Sequence, residues 1–173
     1  IFDGDQELRP IFKDGDTTYN PVTKQGERIR GIDTRETGKI DIVSGQYNPG
    51  EVGAQEQADL LQLLSKENGL TERVQYEEQD ATGSRTVVDW RNPTTGQTLS
   101  GIALTSGISD LTNYSTTEQI NQALFGRLER KKRELAGEST ELDNKVYEIQ
   151  NLIRSREKLT PKLLAIDEAQ LEA

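Results

Sequence analysis

Two short segments near the beginning of the chain carry the side chains that phosphoester chemistry requires. The first, residues 13–17, reads Lys-Asp-Gly-Asp-Thr, and the second runs from Arg28 to Glu36. Together they hold three carboxylates, Asp16, Asp33 and Glu36, beside several arginines. Hard cations such as Ca²⁺ prefer oxygen ligands, and the planar guanidinium of arginine binds phosphate oxygens in pairs. These residue types therefore predict a site that holds a phosphodiester, neutralises its charge and directs a water molecule at phosphorus.

The order of these segments along the chain resembles the staphylococcal nuclease (thermonuclease) family. Asp-Gly-Asp-Thr is followed by Arg-x-x-Gly-Ile-Asp-Thr-x-Glu, an amphipathic helix, the strand-like run Val-Gln-Tyr-Glu and the segment from Asp80 to Arg85. The similarity covers roughly Ile11 to Leu111. It implies an α+β fold, a small five-stranded OB-fold β-barrel with packed helices. It also implies calcium-dependent cleavage of DNA and RNA with low sequence specificity.

The resemblance implies a metal site and a group that acts on water. In the family, the residues that match Asp16, Asp33 and the Thr34 carbonyl bind Ca²⁺. The residue that matches Glu36 positions or deprotonates the attacking water, a task that a carboxylate can perform beside a metal. Asp14 lies next to this set and either supports the site or caps the turn.

The resemblance also implies a phosphate clamp. Arg28 and Arg85 match the two arginines that hold the phosphate and stabilise charge in the transition state. A tyrosine, Tyr76 or Tyr47, could stack on a base or a sugar, and a core or surface role for either ring is equally open.

Two departures from the family pattern bear on the site. Arg35 stands where the family has proline, which loosens the segment that aims Glu36 and adds a charge beside it. Ser84 separates the glycine and arginine of the Gly-Arg pair, so Arg85 could point to the opposite face of its strand unless a bulge restores it. The alternative interpretation is that these carboxylates and arginines form structural turns and ion pairs.

Composition narrows the possible chemistry. The chain has no histidine and no cysteine, which excludes Ser-His catalysis, thiolate metal sites and disulfides. The net charge is −9, which argues against general attraction to nucleic acid. Residues 1–112 contain 11 Lys and Arg against 19 Asp and Glu. Any binding of a polyanion must therefore come from a local arginine cluster or a bound cation.

Periodicity and turn signals predict three regions: a lead-in at residues 1–10, a nuclease-like domain at 11–112 and an α-helical extension at 113–173. Within the domain, a helix is predicted from Glu51 to Glu67. Its predicted buried face consists of Ala54, Ala58, Leu61 and Leu64. Strands are predicted at 71–77 and 85–90, and a short helix at 100–106.

The extension at 113–173 is predicted to be helical and to pair with a protein partner or with itself. Leu128, Leu135, Leu142 and Ile149 recur every seven residues, as in a short coiled coil. The alternative is a pair of amphipathic helices that pack on each other or on the barrel. The basic run at 130–133 is interpreted as a solvated helix face rather than a nucleic-acid contact.

A second functional hypothesis is that the chain is a weakly active, nuclease-like barrel that serves as a binding or structural module in a larger assembly, such as a phage virion. The chain begins at Ile1 and lacks methionine, so we expect a fragment or processed product of a longer protein. No apolar run reaches about 18 residues, so no transmembrane helix is predicted. No signal peptide is visible, which leaves localisation open.

Overall fold

The computed structural model describes residues 8–35, 39–40, 44–48, 50–79 and 85–155. Within these ranges the chain is mixed α+β, with a five-stranded sheet, two short strand pairs and four helices. This confirms the predicted α+β class. Among the described residues the large sheet does not close into a barrel.

The large sheet combines an antiparallel meander with a later hairpin. Its strands, in spatial order, are β1 (Phe12–Asp14), β2 (Thr17–Tyr19), β3 (Gly26–Ile29), β8 (Thr86–Arg91) and β7 (Glu72–Gln79). The β3–β8 contact is parallel, and the other three are antiparallel. The two short antiparallel pairs are β4 (Ile32–Asp33) with β9 (Asp110–Leu111) and β5 (Lys39–Ile40) with β6 (Tyr47–Asn48).

Four helices cover the sheet and extend beyond it. They are α1 (Ala54–Glu67), α2 (Leu99–Ser106), α3 (Thr117–Ala136) and α4, residues 141–155. The domain boundary predicted at residue 112 falls between β9 and α3. None of these helices, within the part of the chain that is described, is long and apolar enough to cross a membrane.

The apolar core lies between the large sheet and the helices. Trp90 of β8 is fully buried, and its indole N–H donates to the Thr18 hydroxyl at 3.1 Å. All four residues of the predicted α1 face are buried, which confirms that prediction. Val146 of α4 belongs to the same core cluster and is 1% exposed. The helical extension therefore contributes to the core that supports the sheet.

Helix α1 begins three residues later than predicted. The structure places its first residue at Ala54, after Gly53 in the left-handed conformation and without a side-chain cap. A capping side chain is the usual marker of a helix start, and the sequence offers none at this position. The prediction therefore extended the helix back to Glu51.

Helices α3 and α4 form a hairpin that an ion pair holds together. Gly137, in the left-handed conformation, ends α3. Two nitrogens of the Arg133 guanidinium donate to the two carboxylate oxygens of Asp143 at 2.6 and 2.8 Å. Asp143 also accepts from the Thr140 N–H, and its own N–H donates to the Thr140 hydroxyl. This geometry lowers the pKa of Asp143 to about 2, chiefly through the Arg133 hydrogen bonds.

A buried carboxylate joins β8 to α2. Asp89, 3% exposed, accepts from the Ser100 hydroxyl at 2.5 Å and from the Ser100 backbone N–H at 3.1 Å. These bonds satisfy donors in the first turn of α2. Burial raises the pKa of Asp89 to about 6, although the Ser100 bonds, the Trp90 N–H and the charge of Arg30 oppose this rise.

We expect the free energy of unfolding to increase when the pH falls from about 7.5 to about 5. The carboxyl of an unfolded Asp89 titrates near 3.8, and that of the folded state near 6. Stabilisation by the protonated form is therefore complete below pH 3.8 and is lost as the pH rises through 6, a difference of about 3 kcal/mol in all, of which about half falls between pH 5 and pH 7.5. Urea denaturation at the two pH values measures the change. Asp89→Asn should reduce it clearly, and an unchanged pH dependence in this variant would contradict the assignment.

Candidate active site

The Asp-Gly-Asp turn between β1 and β2 fixes Asp16 beneath the β4 segment. Asp16 is 5% exposed. Its Oδ2 accepts from the Thr34 backbone N–H at 3.0 Å, and its Oδ1 accepts from the Thr17 hydroxyl at 3.0 Å. The Asp16 carbonyl accepts from the Ile29 N–H at 2.7 Å. Asp16 therefore links the turn to β3 through its main chain and to Thr34, the residue after β4, through its side chain.

Gly15 allows this close approach. A Cβ at residue 15 would lie 2.8 Å from Thr34 Cγ2 and 3.0 Å from Thr34 Oγ1. Any larger residue would push Thr34 away from Asp16. Thr34 is itself buried, and its hydroxyl oxygen has no hydrogen-bond partner among the residues that the structure describes. An unsatisfied buried oxygen beside a carboxylate is unusual in folded proteins.

Arg28 connects the two predicted metal-binding aspartates. Its Nη1 lies 3.1 Å from Asp16 Oδ2, and its Nη2 lies 3.5 Å from Asp33 Oδ1. The same Nη2 donates to the Ile32 carbonyl at 2.9 Å. Register explains this placement, because Arg28 of β3 pairs directly with Thr17 of β2. The two segments singled out in the sequence therefore meet across one antiparallel strand pair.

The charge state of Asp16 reflects two opposing effects. Burial raises the pKa of the Asp16 carboxyl, and the Arg28 charge lowers it. Burial is the larger effect, so the pKa lies above its ordinary value. The Arg28 charge and the hydrogen bonds from Thr34 and Thr17 favour the ionised form of Asp16, and a bound metal would act in the same direction.

The second predicted arginine approaches the same turn. Arg85 Nη1 donates to the Thr17 hydroxyl at 3.4 Å, and that hydroxyl also contacts Asp16. Arg85 lies just before β8 and is half-buried. Its side chain thus reaches the turn that carries Asp16 although Ser84 separates it from Gly83.

The remaining predicted residues are placed less closely or not at all. Asp14 ends β1 and is half-buried at the same turn. Tyr76 of β7 has the Arg30 guanidinium stacked over its ring, 4.3 Å from the ring centre. Glu36 and the side chain of Tyr47 lie outside the described residues.

Gln57 of α1 holds the main chain of Arg35 in place, a role that was not predicted from the sequence. Its side-chain oxygen accepts from the Arg35 backbone N–H at 3.0 Å, and its amide donates to the Ile108 carbonyl at 2.9 Å. Proline, the family's residue at position 35, has no N–H to make this bond. A signal was present: Gln57 shares the helical face of the apolar residues Ala54, Leu61 and Leu64, where a polar residue must find buried partners.

A second unrecognised residue attaches the helical extension to the site. The Gln119 side chain of α3 donates to the Arg30 carbonyl at 2.8 Å, and its oxygen accepts from the Thr116 N–H at 2.9 Å. The Ser115 hydroxyl donates to the Gly31 carbonyl at 2.7 Å. The residues that cap α3 therefore bind the turn between β3 and β4. This turn lies between Arg28 and Asp33 in the chain.

A cavity of about 380 Å³ lies beside the second aspartate segment, the one that carries Asp33. Asp33, Thr34 and Arg35 form one wall, and Ile149 and Arg154 of α4 contribute to another. Arg35 Nη1 lies 3.5 Å from the Glu51 carboxylate on the rim. The fourth helix therefore shapes the surface next to the candidate site.

The donor atoms at this site suit a hard cation in their chemistry. Asp16 and Asp33 supply carboxylate oxygens, and Thr34 supplies the unpaired hydroxyl oxygen. Nitrogen and sulfur ligands are excluded because the chain has no histidine or cysteine. Among the described residues, no group of three or more acidic side chains is close enough to hold a metal by itself. Backbone carbonyls, the Thr34 hydroxyl or water would have to complete the coordination.

Comparison with known proteins does not identify a family for this chain. The resemblance to staphylococcal nuclease therefore depends on the order and spacing of the residues quoted above, and the activity that it implies is a proposal. The chain matches no protein-family model and no curated protein.

Proposed function

We propose that this protein is a calcium-dependent nuclease that hydrolyses DNA and RNA with low sequence specificity, built on an OB-type barrel. The strand order β1-β2-β3-β8-β7 supports the barrel proposal, because a meander joined in parallel to a later hairpin is the connectivity of a partly open, five-stranded Greek-key barrel. The observation that carries the functional proposal is the bridge from Arg28 to both Asp16 and Asp33.

Each of the described site residues has a role that its position supports. Arg28 and Arg85 bind non-bridging oxygens of the scissile phosphate and stabilise the charge that grows on it. Asp16 and Asp33, with Thr34, hold the cation. Glu36, assigned by the resemblance alone, orients water and accepts its proton. When bound, Ca²⁺ neutralises phosphate charge and lowers the pKa of coordinated water.

The pairing of Arg28 with Asp16 is consistent with a resting site. A guanidinium that neutralises a buried carboxylate keeps that carboxylate ionised until a metal arrives. Arg28 is only partly buried, and Asp33 is 59% exposed at its side chain. A phosphate therefore has access to the guanidinium from solvent.

Cleavage of denatured DNA tests the proposal. The protein is incubated with single-stranded DNA in millimolar Ca²⁺ or in excess chelator, beside Asp16→Asn and Glu36→Gln. Asp59→Asn is the matched control, because Asp59 is an exposed carboxylate on α1 whose hydrogen bond within the described part of the chain is the local one from Gln55. We expect calcium-dependent cutting by the parent and the control, and a loss of about 10²-fold or more in the two site variants.

A thermal-unfolding measurement separates metal binding from catalysis. Ca²⁺ that binds the folded state should raise the Tm of the parent and of Asp59→Asn, but not that of Asp16→Asn. A calcium-dependent rise in Tm without cutting would favour the alternative, a nuclease-like binding module within a larger assembly. Neither cutting nor a rise in Tm, with the fold intact by circular dichroism, would refute the calcium site.

A further inference from the structure

Helix α3 presents an apolar face to solvent, and one edge of this face, at Glu118 and Phe125, borders Thr105 of α2. We call it the α3 outer face and define it by six residues: Glu118, Ile120, Leu124, Phe125, Leu128 and Lys132. The four apolar members are 40%, 53%, 59% and 62% exposed in chain order. The opposite side of the helix is buried at Gln119 and Gly126. Contiguous exposed apolar side chains that are rimmed by polar residues are a mark of interaction surfaces.

The α3 outer face is symmetric about its centre. Ile120 and Leu128 each lie four residues from Leu124, on the same side of the helix. Glu118 and Lys132 each lie seven residues from Phe125, on the flank that Phe125 occupies. When the helix direction is reversed, Ile120 and Leu128 therefore exchange places, and so do Glu118 and Lys132.

We propose that the α3 outer face binds the same face of a second copy of this chain, in an antiparallel two-fold dimer. A two-fold interface joins one patch to itself, so the patch must be self-complementary. Leu124 and Phe125 would lie at the axis, and Ile120 would contact Leu128 of the other copy.

Charge selects the antiparallel direction. In that arrangement each Glu118 faces Lys132 of the other copy, whereas a parallel pair places Glu118 at the level of Glu118 and Lys132 at the level of Lys132, so this ion pair is lost. Lys132 already contacts Glu129 at 3.4 Å, but its side chain is 74% exposed, and an exposed pair of this kind contributes little. It can therefore exchange that partner for an acid on a second copy.

The size of the face predicts a weak dimer. Helix α3 has 20 residues, so it is about 30 Å long. A single helix pair of that length buries less than the roughly 1,600 Å² of a standard stable interface. The association should therefore depend on protein concentration and, through the terminal charge pairs, on salt.

Sedimentation equilibrium of the full chain over a wide range of concentration tests the proposal. We expect the mass to rise toward twice that of the chain, and Leu124→Glu to remain monomeric. Leu152→Glu on α4 is the matched control, since Leu152 is 44% exposed but outside the α3 outer face. It should dimerise as the parent does.

Charge reversal tests the direction of pairing. Glu118→Lys or Lys132→Glu alone should raise the Kd by roughly tenfold at low salt, and the double reversal should restore it. A parent that stays monomeric at every concentration would mean that another segment of the same chain covers the face, and it would overturn the proposal. Dimerisation of Leu124→Glu, or a double reversal as weak as the single variants, would overturn it as well.

Discussion

Arg28→Lys is expected to lower the kcat for cleavage of single-stranded DNA by about 10²–10³-fold with little loss of folded protein. Arg28 makes three contacts from one planar group: with the Asp16 carboxylate, the Asp33 carboxylate and the Ile32 carbonyl. Lysine keeps the charge but has a single ammonium group, so it cannot span the two aspartates and present paired donors to a phosphate.

The comparison of lysine with alanine separates catalysis from stability. Lysine can still neutralise Asp16, whereas alanine would leave a carboxylate that is 5% exposed without its cation. Arg28→Ala should therefore lose both activity and several degrees of Tm, and Arg28→Lys mainly activity. Because Arg28 opposes the effect of burial on Asp16, its removal should also raise the pKa of that carboxyl further.

Single-turnover rates and Tm values measured on the same preparations give both quantities. Arg127→Lys is a suitable control, because Arg127 is an exposed arginine on α3 away from the site. An unchanged kcat in Arg28→Lys, with the parent active and calcium-dependent, would reduce Arg28 to a structural counter-charge for Asp16. The phosphate clamp would then have to be assigned elsewhere, with Arg85 as the first candidate.

Local sequence signals located most of the fold because they act over short distances. The buried face of α1 follows from helical periodicity, and the strand pair β7–β8 follows from two strand-like runs on either side of turn residues, the second of them rich in β-branched residues. The meeting of Asp16 with Arg28 also follows, once β2 and β3 are taken as neighbouring antiparallel strands. Closure of the sheet into a barrel would require pairing between distant segments, which local patterns do not specify, and the sheet formed by the described residues is open.

The helical extension shows where sequence spacing is insufficient. The seven-residue repeat predicts one continuous seam, but Gly137 ends α3 and the chain reverses before Leu142. Leu135 is 77% exposed, whereas Leu142 and Ile149 pack against the core cluster. Equal spacing on both sides of a chain reversal does not place residues on one face, because a repeat defines a face only within one helix.

The polar bridges could not be predicted from residue type alone. Glutamine is common on solvent-facing helix surfaces. It is favourable inside a protein only if both its oxygen and its amide find partners, as those of Gln57 and Gln119 do. Those partners are the backbone of residues 30, 35, 108 and 116, which tertiary packing brings to the two helices.

Gly126→Ala is expected to destabilise the protein by about 3 kcal/mol or more, or to prevent native folding. Glycine within a helix costs about 1 kcal/mol relative to alanine, so the substitution would be stabilising if α3 were free. In the structure a Cβ at residue 126 would overlap the Thr105 carbonyl oxygen of α2. Because the obstacle is backbone, no side-chain rotation relieves it, and overpacking of this kind is destabilising.

Displacement of α3 would break two bonds that attach it to the rest of the molecule. The Arg130 guanidinium donates to the Thr105 carbonyl at 2.5 Å, at the C-terminal end of α2, and Gln119 donates to the Arg30 carbonyl beside Arg28. Loss of the second bond would also loosen the turn between β3 and β4. Gly126→Ala should therefore also perturb the candidate site, through loss of the hydrogen bond between Gln119 and the Arg30 carbonyl.

Urea denaturation with Asn121→Ala as the control separates packing from helix propensity. Asn121 is an exposed position on the same helix, at the edge of the contact with α2, so its replacement reports mainly propensity and should be neutral or slightly stabilising. A Gly126→Ala variant that gains stability as Asn121→Ala does would show that α3 does not pack closely on α2. Since the α3 outer face is defined by this packing, the same result would remove the basis for assigning its six residues to one exposed surface.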